Sequence, residues 1–401
     1  MHVLIIAQLF PPDMGGGATR ANNVVKGLLK AGCKVTVVSA FPHYPTGQIP
    51  LEFRRRAFTI RREGQLKLIR TFVPPLASEG IVKRLLLFGS FMLSSLFTLP
   101  LIRKVTAVWA ANPNILSMFS AFIYKAFHRC PLVQNVDDLW PESLFDMGLI
   151  RKSLLARLGT FLAKLAYRVA SAITSISPAY IEVLVKKYHV PAQKIHMLPA
   201  GVDISCFSPK RKRQRKDRGK IQVLYIGAFS PAYDFDQVFS AAKLLSTIPE
   251  IEFIIQGGGE LAGALKSKVR LLRLKNVRVV EKIVPRDKVA QILTDADIVL
   301  LPLGGASAIE LGISSKLYEY QAAGKPIICC SSGQPARYVS ITKSGIVVKP
   351  GDHQALANAV IALKDDVSLR RKLGGNGRKY VEENLSIERI GEKMKHILEA
   401  V

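Results

Sequence analysis

Unbroken apolar runs alternate with segments whose apolar positions recur every three or four residues. "HVLIIA" (2–7) is apolar throughout, as expected of a strand buried on both faces. Residues 19–31 carry helical spacing and stop at Gly32, a C-terminal cap position. "KVTVVSA" (34–40) reads as the second strand. Strands at 105–109, 132–136, 172–176 and 195–198 continue the series, with helices including 115–128 and 151–170 between them. The pattern then restarts with the strand "IQVLYIG" (221–227), a helix at 235–247, a strand at 251–255, a helix at 261–274, and strands at 277–281 and 297–301. Helices fit 315–323, 353–363, 367–383 and 386–400. Such alternation specifies doubly wound parallel sheets, so the predicted fold is α/β with two Rossmann-like domains. A length of 401 residues agrees with two cores rather than one. The predicted boundaries are 1–205 for the first domain, 206–220 for a basic linker and 221–385 for the second. Residues 386–401 form a C-terminal helix that would pack back on the first domain.

Two segments interrupt this plan. Residues 85–102, "LLLFGSFMLSSLFTLPLI", carry no charge and lie between Lys83-Arg84 and Arg103-Lys104. Ser90, Ser94 and Thr98 recur every fourth residue and would form a polar stripe. The readings are a core or membrane-surface helix, or a membrane span near the lower length limit. "PKRKRQRKDRGK" (209–220) has eight basic residues and one acid. It reads as a solvated linker, a membrane-surface contact or a nucleic-acid patch. No nucleic-acid-binding motif accompanies it, so no nucleic-acid partner is expected.

Charge sharpens the choice of partner. The formal net charge is +27, which favours anionic ligands or surfaces. The five cysteines are scattered without metal-ligand spacing, consistent with a reducing compartment and no metal site. The N-terminal apolar run lacks a basic region before it and reads as a strand, not a signal peptide.

"FPPDMGGGATR" (10–20) places Gly15, Gly16 and Gly17 between the first strand and the first helix. Its glycines are consecutive rather than spaced G-x-G-x-x-G, and no acid ends the second strand. A nicotinamide site is therefore excluded, and the absence of GKS or GKT excludes a P-loop. What remains is close backbone approach to an anion at a helix N-terminus, or a plain flexible loop. "LYIGAF" and "FIIQGGGE" put Gly227 and Gly257 at equivalent strand ends of the second domain. Glycine loops on both domains suggest a ligand held between them.

"FPP", the glycine run, "KVTVVS" and "PHYPTG" occur in an order that resembles family 4 glycosyltransferases of the GT-B fold, in which two Rossmann-like domains face a central cleft. "VDDLWPES" (136–143) and "ADIVLLPL" followed by "SSKLYEYQAAGKPII" (315–328) extend the resemblance over essentially the whole chain. The nearest resemblance is to members that build bacterial exopolysaccharide, capsule and O-antigen chains. It implies a UDP- or GDP-sugar donor bound mainly by the second domain, and a lipid-linked saccharide acceptor on the first. It further implies transfer with retained anomeric configuration and no cofactor or bound metal. The enzyme would be cytoplasmic and peripheral on an anionic membrane surface. A nucleotide-sugar epimerase on the same architecture and a non-catalytic nucleotide-sugar-binding protein are the alternatives.

The resemblance also assigns residues. Glu319 matches the acid that accepts hydrogen bonds from the nucleotide ribose hydroxyls. The family's second glutamate, eight positions earlier, falls on Leu311, with Glu310 one residue away. Either a loop shift restores that carboxylate near the donor sugar, or backbone amides of 311–313 replace it. Lys316 and Arg286 are the candidate cations for the donor diphosphate, since the "GAFSPAYDFDQ" loop has none. Asp137 and Asp138 would orient or deprotonate an acceptor hydroxyl, with Asp138 alternatively a helix cap. His43 and Arg20 are the candidate acceptor contacts. Gly16 and Gly17 are expected to approach the donor.

Overall fold

The computed structural model describes residues 1–44, 46–76, 80–111, 116–139, 142, 154–207, 219–305 and 307–401. Its two compact units are Met1–Gly201 with Ile387–Val401, and Val202–Ser386. Most of the basic run, residues 208–218, lies outside the described residues.

The first unit holds β1 (His2–Ile6), β2 (Lys34–Ala40), β3 (Phe58–Glu63), β4 (Leu66–Thr71), β5 (Ala107–Ala111), β6 (Leu132–Val136), β7 (Ala172–Ser175) and β8 (Ile195–Met197). They form one sheet in the order β3-β4-β2-β1-β5-β6-β7-β8. All neighbours run parallel except β3 with β4, a hairpin turned at Gly64 (φ 55°) that the apolar pattern does not announce. β3 is an exposed edge rich in charge, "FTIRRE", and so lacks the signature of a buried strand. The order reverses between β1 and β5, which makes their C-terminal ends the place where such sheets bind ligands.

The second unit holds β9 (Ile221–Ala228), β10 (Ile251–Gly258), β11 (Val277–Glu281), β12 (Ile298–Pro302), β13 (Ile327–Cys330) and β14 (Gly345–Val348). Their order, β11-β10-β9-β12-β13-β14, is that of a dinucleotide-binding Rossmann sheet, with the reversal between β9 and β12. β13 and β14 are four residues each, too short for a periodicity argument to find. An aromatic cluster under β9 and β10 fills much of this core. Tyr225 and Phe235 meet edge to face at 5.1 Å, and Phe229, Phe239 and Phe253 are fully buried.

The helix Ile387–Glu399 belongs to the first unit. Ile387, Ile390, Met394, Ile397 and Leu398 are buried on one face, at helical spacing. It packs on the helix Gly16–Lys30 through a glycine crossing. A Cβ on Gly391 would lie 2.2 Å from the Gly27 carbonyl oxygen, and one on Gly27 would lie 2.5 Å from that of Ile387. Gly391→Ala is therefore expected to cost about 1–3 kcal/mol of overpacking. Urea unfolding followed by tryptophan fluorescence measures this, and an unmoved midpoint would contradict so close a crossing.

The apolar segment 85–102 resolves into the helix Gly80–Leu96 and a short turn at Leu99–Leu101. Among the described residues, no helix is long and apolar enough to cross a membrane. The polar stripe lies inward. Ser95 and Thr98 are buried, Thr98 Oγ1 lies 2.7 Å from the Tyr124 hydroxyl, and Ser94 donates to Thr71 Oγ1 at 3.1 Å. The stripe shares the inward face with the buried Leu87 and Phe91.

Candidate functional site

In the first unit the glycine loop leaves β1 and enters Gly16–Lys30. That helix has no side-chain cap and no acid in its first turn, and its N-cap Gly15 has φ 106°. Among the described residues, and apart from the chain neighbours and the helix's own backbone, no atom lies within 4 Å of a Cβ placed on Gly16 or Gly17. Packing does not demand these two glycines; their missing side chains leave the helix N-terminus open.

An acid two positions before this run fixes its position. Asp13 is buried, and its Oδ1 accepts from the backbone amides of His43 at 2.8 Å and Tyr44 at 2.9 Å. It thereby ties the "PHY" loop after β2 to the glycine loop after β1. Burial raises the Asp13 carboxyl above its ordinary range, opposed by the Tyr44 amide, His43 and Arg70. Arg70 completes the tie, donating to the carbonyls of Pro11 and, at 3.1 Å, Ala40. Sequence reasoning overlooked Asp13 and Arg70; the signal was an acid two positions before the glycines.

Three expectations for this unit need correction. Arg20 is 1% exposed and so has no surface to offer an acceptor. Its guanidinium donates to Asn135 Oδ1 at 3.0 and 2.6 Å and to the Leu198 carbonyl at 2.6 Å, and it pairs with Asp137 at 2.8 Å. Asp137 is therefore the counterion of a buried arginine rather than an open rim carboxylate. Burial pushes its carboxyl up, and Arg20 opposes that shift. His43 is 3% exposed. Its Nδ1 lies 2.8 Å from the Phe41 carbonyl, which only accepts, so Nδ1 carries the proton. Asp138 is half-buried beside Asp137 at the end of β6. Trp140, Pro141 and Ser143 of the same motif lie outside the described residues.

In the second unit the predicted residues converge more closely. Gly227 ends β9 with φ 155°, and a Cβ there would sit 2.3 Å from Lys316 Cε and 2.8 Å from its Nζ. The glycine makes room for the lysine, which crosses the end of β9 with its ammonium 5.3 Å from the Tyr233 ring centroid. Gly257 has a different task. It faces Gly227 across the ladder, where a Cβ would meet the Gly227 carbonyl oxygen at 1.7 Å, so it allows the two strands to close. Lys316 stands in the first turn of the helix Ser315–Ala322, capped by Ser314, and half-buried Glu319 follows one turn later. The helix is anchored by the buried Tyr320, whose hydroxyl donates to the Leu300 carbonyl at 3.2 Å. An ammonium, a helix N-terminus and a carboxylate thus lie in sequence beside the β9–β12 reversal.

Glu310, expected as a catalytic carboxylate, has one oxygen held by its own chain, while its Oε1 has no hydrogen-bond partner. Its Oε2 accepts from the amides of Ser332 at 3.1 Å and Gly333 at 2.5 Å, and from the Ser331 hydroxyl. This neutralises the N-terminus of the helix Gln334–Ile341. A Cβ on Gly333 would lie 2.6 Å from the same oxygen. Arg286 opens the helix Arg286–Asp295; its side chain lies outside the described residues.

Residues 14–205 match the family described as Glycosyltransferase Family 4, and residues 207–380 match Glycosyl transferases group 1. The chain is 28% identical over 215 residues to a GDP-mannose-dependent phosphatidylinositol monomannoside mannosyltransferase of Corynebacterium glutamicum, covering 51% of this chain and 55% of that protein. It is 28% identical over 216 residues to a D-inositol 3-phosphate glycosyltransferase of Paenarthrobacter aurescens, covering 51% and 52%. The chain thus spans about half the length of these two relatives. It is 24% identical over 412 residues to the putative colanic acid biosynthesis glycosyl transferase WcaI of Escherichia coli, covering 97% of this chain and 98% of that one. Among solved structures, sucrose-phosphate synthase from Thermosynechococcus elongatus superposes with a TM-score of 0.78 at 17% identity, over 100% of this chain and 98% of that one. Anabaena HepE in complex with UDP and glucose gives 0.69 at 16% identity, with 100% of both chains covered. These structural matches place the two parallel sheets in the GT-B fold. Together with the two adjoining family matches, they show that the chain belongs to the family 4 glycosyltransferases.

Proposed function

We propose that this protein transfers a sugar from a nucleotide diphosphate donor to a hydroxyl of a lipid-linked saccharide, with retained configuration, in cell-surface polysaccharide assembly. The observation that carries the reading is the lysine laid across Gly227, with Glu319 one turn further along its helix. Negative charge grows on the departing diphosphate in the transition state, so an ammonium and helix amides already in place stabilise it more than the ground state. Glu319 is suited to accept from two adjacent ribose hydroxyls. No bound metal is required by this arrangement. HepE, solved with UDP, supports a UDP donor; the mannosyltransferase relative supports a GDP donor. The net charge of +27 supports work at the anionic face of a cytoplasmic membrane.

Thermal-shift titration against UDP- and GDP-sugars tests the donor. The matching one should stabilise the native state by about 2.7 kcal/mol at a hundredfold excess over Kd. If neither class raises the Tm, the reading fails. The glycine loop is tested separately. Because the space around Gly16 is open, Gly16→Val is expected to fold, to keep nucleotide stabilisation and to lose transfer. Unchanged transfer would remove the loop from the reaction.

A further inference from the structure

The loop "FPHY" (41–44) after β2 treats its ring side chains unequally. Phe41 and His43 are 1% and 3% exposed, whereas Tyr44 is 36% exposed. Exposure alone means little for a tyrosine. What distinguishes this one is that its place is fixed. Its backbone amide donates to the buried Asp13 carboxylate at 2.9 Å, beside the His43 amide at 2.8 Å. The preceding His43 ring is anchored in turn, its Nδ1 2.8 Å from the Phe41 carbonyl. One edge of the Tyr44 ring lies against the glycine loop, where a Cβ on Gly15 would stand 3.4 Å from Cε1 and 3.9 Å from Cδ1. Gly15 has φ 106°, so glycine at this position both turns the chain and leaves the ring its seat. The next two residues, Gly16 and Gly17, add no side chain of their own. An aromatic ring is thus held ready, partly in water, at the C-terminal ends of β1 and β2, the edge where such sheets bind ligands.

Chemistry selects the ligand. A phenol ring offers a flat apolar face and a polar tip. A pyranose has the matching form, a face of C–H groups rimmed by hydroxyls. Stacking on a side chain already in place costs little ordering entropy. A nucleobase is flat as well, but Lys316 and Glu319 assign the nucleotide to the second unit. We propose that Tyr44 is the stacking platform for the terminal sugar ring of the acceptor, and so helps to determine which sugar is extended. The inference rests on the reading of a saccharide acceptor.

The test reads the contact directly and needs no transfer. Methyl glycosides of glucose, galactose, mannose, N-acetylglucosamine and fucose are titrated into the full chain and followed by saturation-transfer NMR, with saturation placed on the aromatic protons. At least one glycoside should take up saturation at the C–H protons of one face. Tyr44→Ala should lower its affinity about tenfold, and Tyr44→Leu nearly as much. Tyr44→Phe keeps the ring and should bind within about twofold of the parent. Phe127→Ala, at a 64% exposed ring of the helix Ser117–His128, should change nothing. The Tm and the nucleotide-sugar stabilisation should be the same in every variant. No saturation of any glycoside, or undiminished binding in Tyr44→Ala, overturns the proposal. An equal loss in Tyr44→Phe overturns it too, since the contact would then belong to the hydroxyl. So does loss of nucleotide-sugar stabilisation in Tyr44→Ala, which would put the donor on this ring. The transferase reading fails on a different result: a parent protein that neither nucleotide-sugar class stabilises, while glycoside binding through Tyr44 persists.

Discussion

Replacing Lys316 with alanine is expected to lower kcat about 10²–10³-fold, the loss typical of one preorganised donor to a developing negative charge. The expectation follows from placement. The ammonium lies where a Cβ on Gly227 would sit 2.8 Å away, at the end of β9, and the Tyr233 ring holds it from one side. A cation fixed in advance needs no reorganisation as the diphosphate departs, so its loss should fall on kcat more than on KM. Lys316→Arg tests the geometry as well as the charge. A guanidinium is broader than an ammonium, and the notch left by Gly227 is narrow, so arginine should restore only part of the rate. Gly227→Ala approaches the same point from the other side. Its methyl group would displace the lysine, and kcat should fall with little change in stability beyond the strained φ. Full activity in Lys316→Ala would remove the lysine from the chemistry. A KM effect alone would assign it to ground-state binding.

The second-unit site was legible because its parts are local. Lys316 and Glu319 share one helix, and the glycines end strands that are unbroken apolar runs, so spacing along the chain reports spacing in space. What could not be read was the purpose of each glycine. Gly227 and Gly257 look alike in sequence, yet one houses a side chain and the other lets two backbones meet. The partners of Glu310 were hidden for a related reason: Ser331 to Gly333 belong to a turn after a four-residue strand that leaves no periodic trace. The first unit was harder because its polar residues pair at long range. Arg20 and Asn135 are 115 residues apart, and an arginine in the first turn of a glycine-preceded helix reads naturally as a ligand contact. Only the order of strands brings β6 beside that helix. The apolar segment 85–102 misled in another way, since its polar stripe was visible but not the side of the helix the protein would occupy.

The buried pair carries the other large prediction. Arg20→Ala should destabilise the first unit by about 3–5 kcal/mol, the cost of leaving a buried charge without its partner. Arg20 and Asn135 join the first helix, the end of β6 and the Leu198 carbonyl into one knot, which Thr174 enters by donating to Asn135 Oδ1 at 2.9 Å. Removing the guanidinium strands several acceptors at once. Both tryptophans of the chain, Trp109 and Trp140, fall within residues 1–201, so their fluorescence follows the unfolding of this unit. The pH dependence separates charge from packing. Burial already raises the Asp137 carboxyl, and without Arg20 it rises further above its unfolded value. The folded variant then binds a proton more tightly than the unfolded chain, and its stability falls as pH rises through that raised pKa. The deficit relative to the parent should therefore be smallest in mild acid and largest near neutrality. Adding Asp137→Asn to Arg20→Ala should recover part of the loss and abolish most of that pH dependence. Additive losses, or a deficit independent of pH, would mean that Arg20 acts through packing alone and that Asp137 is not its counterion.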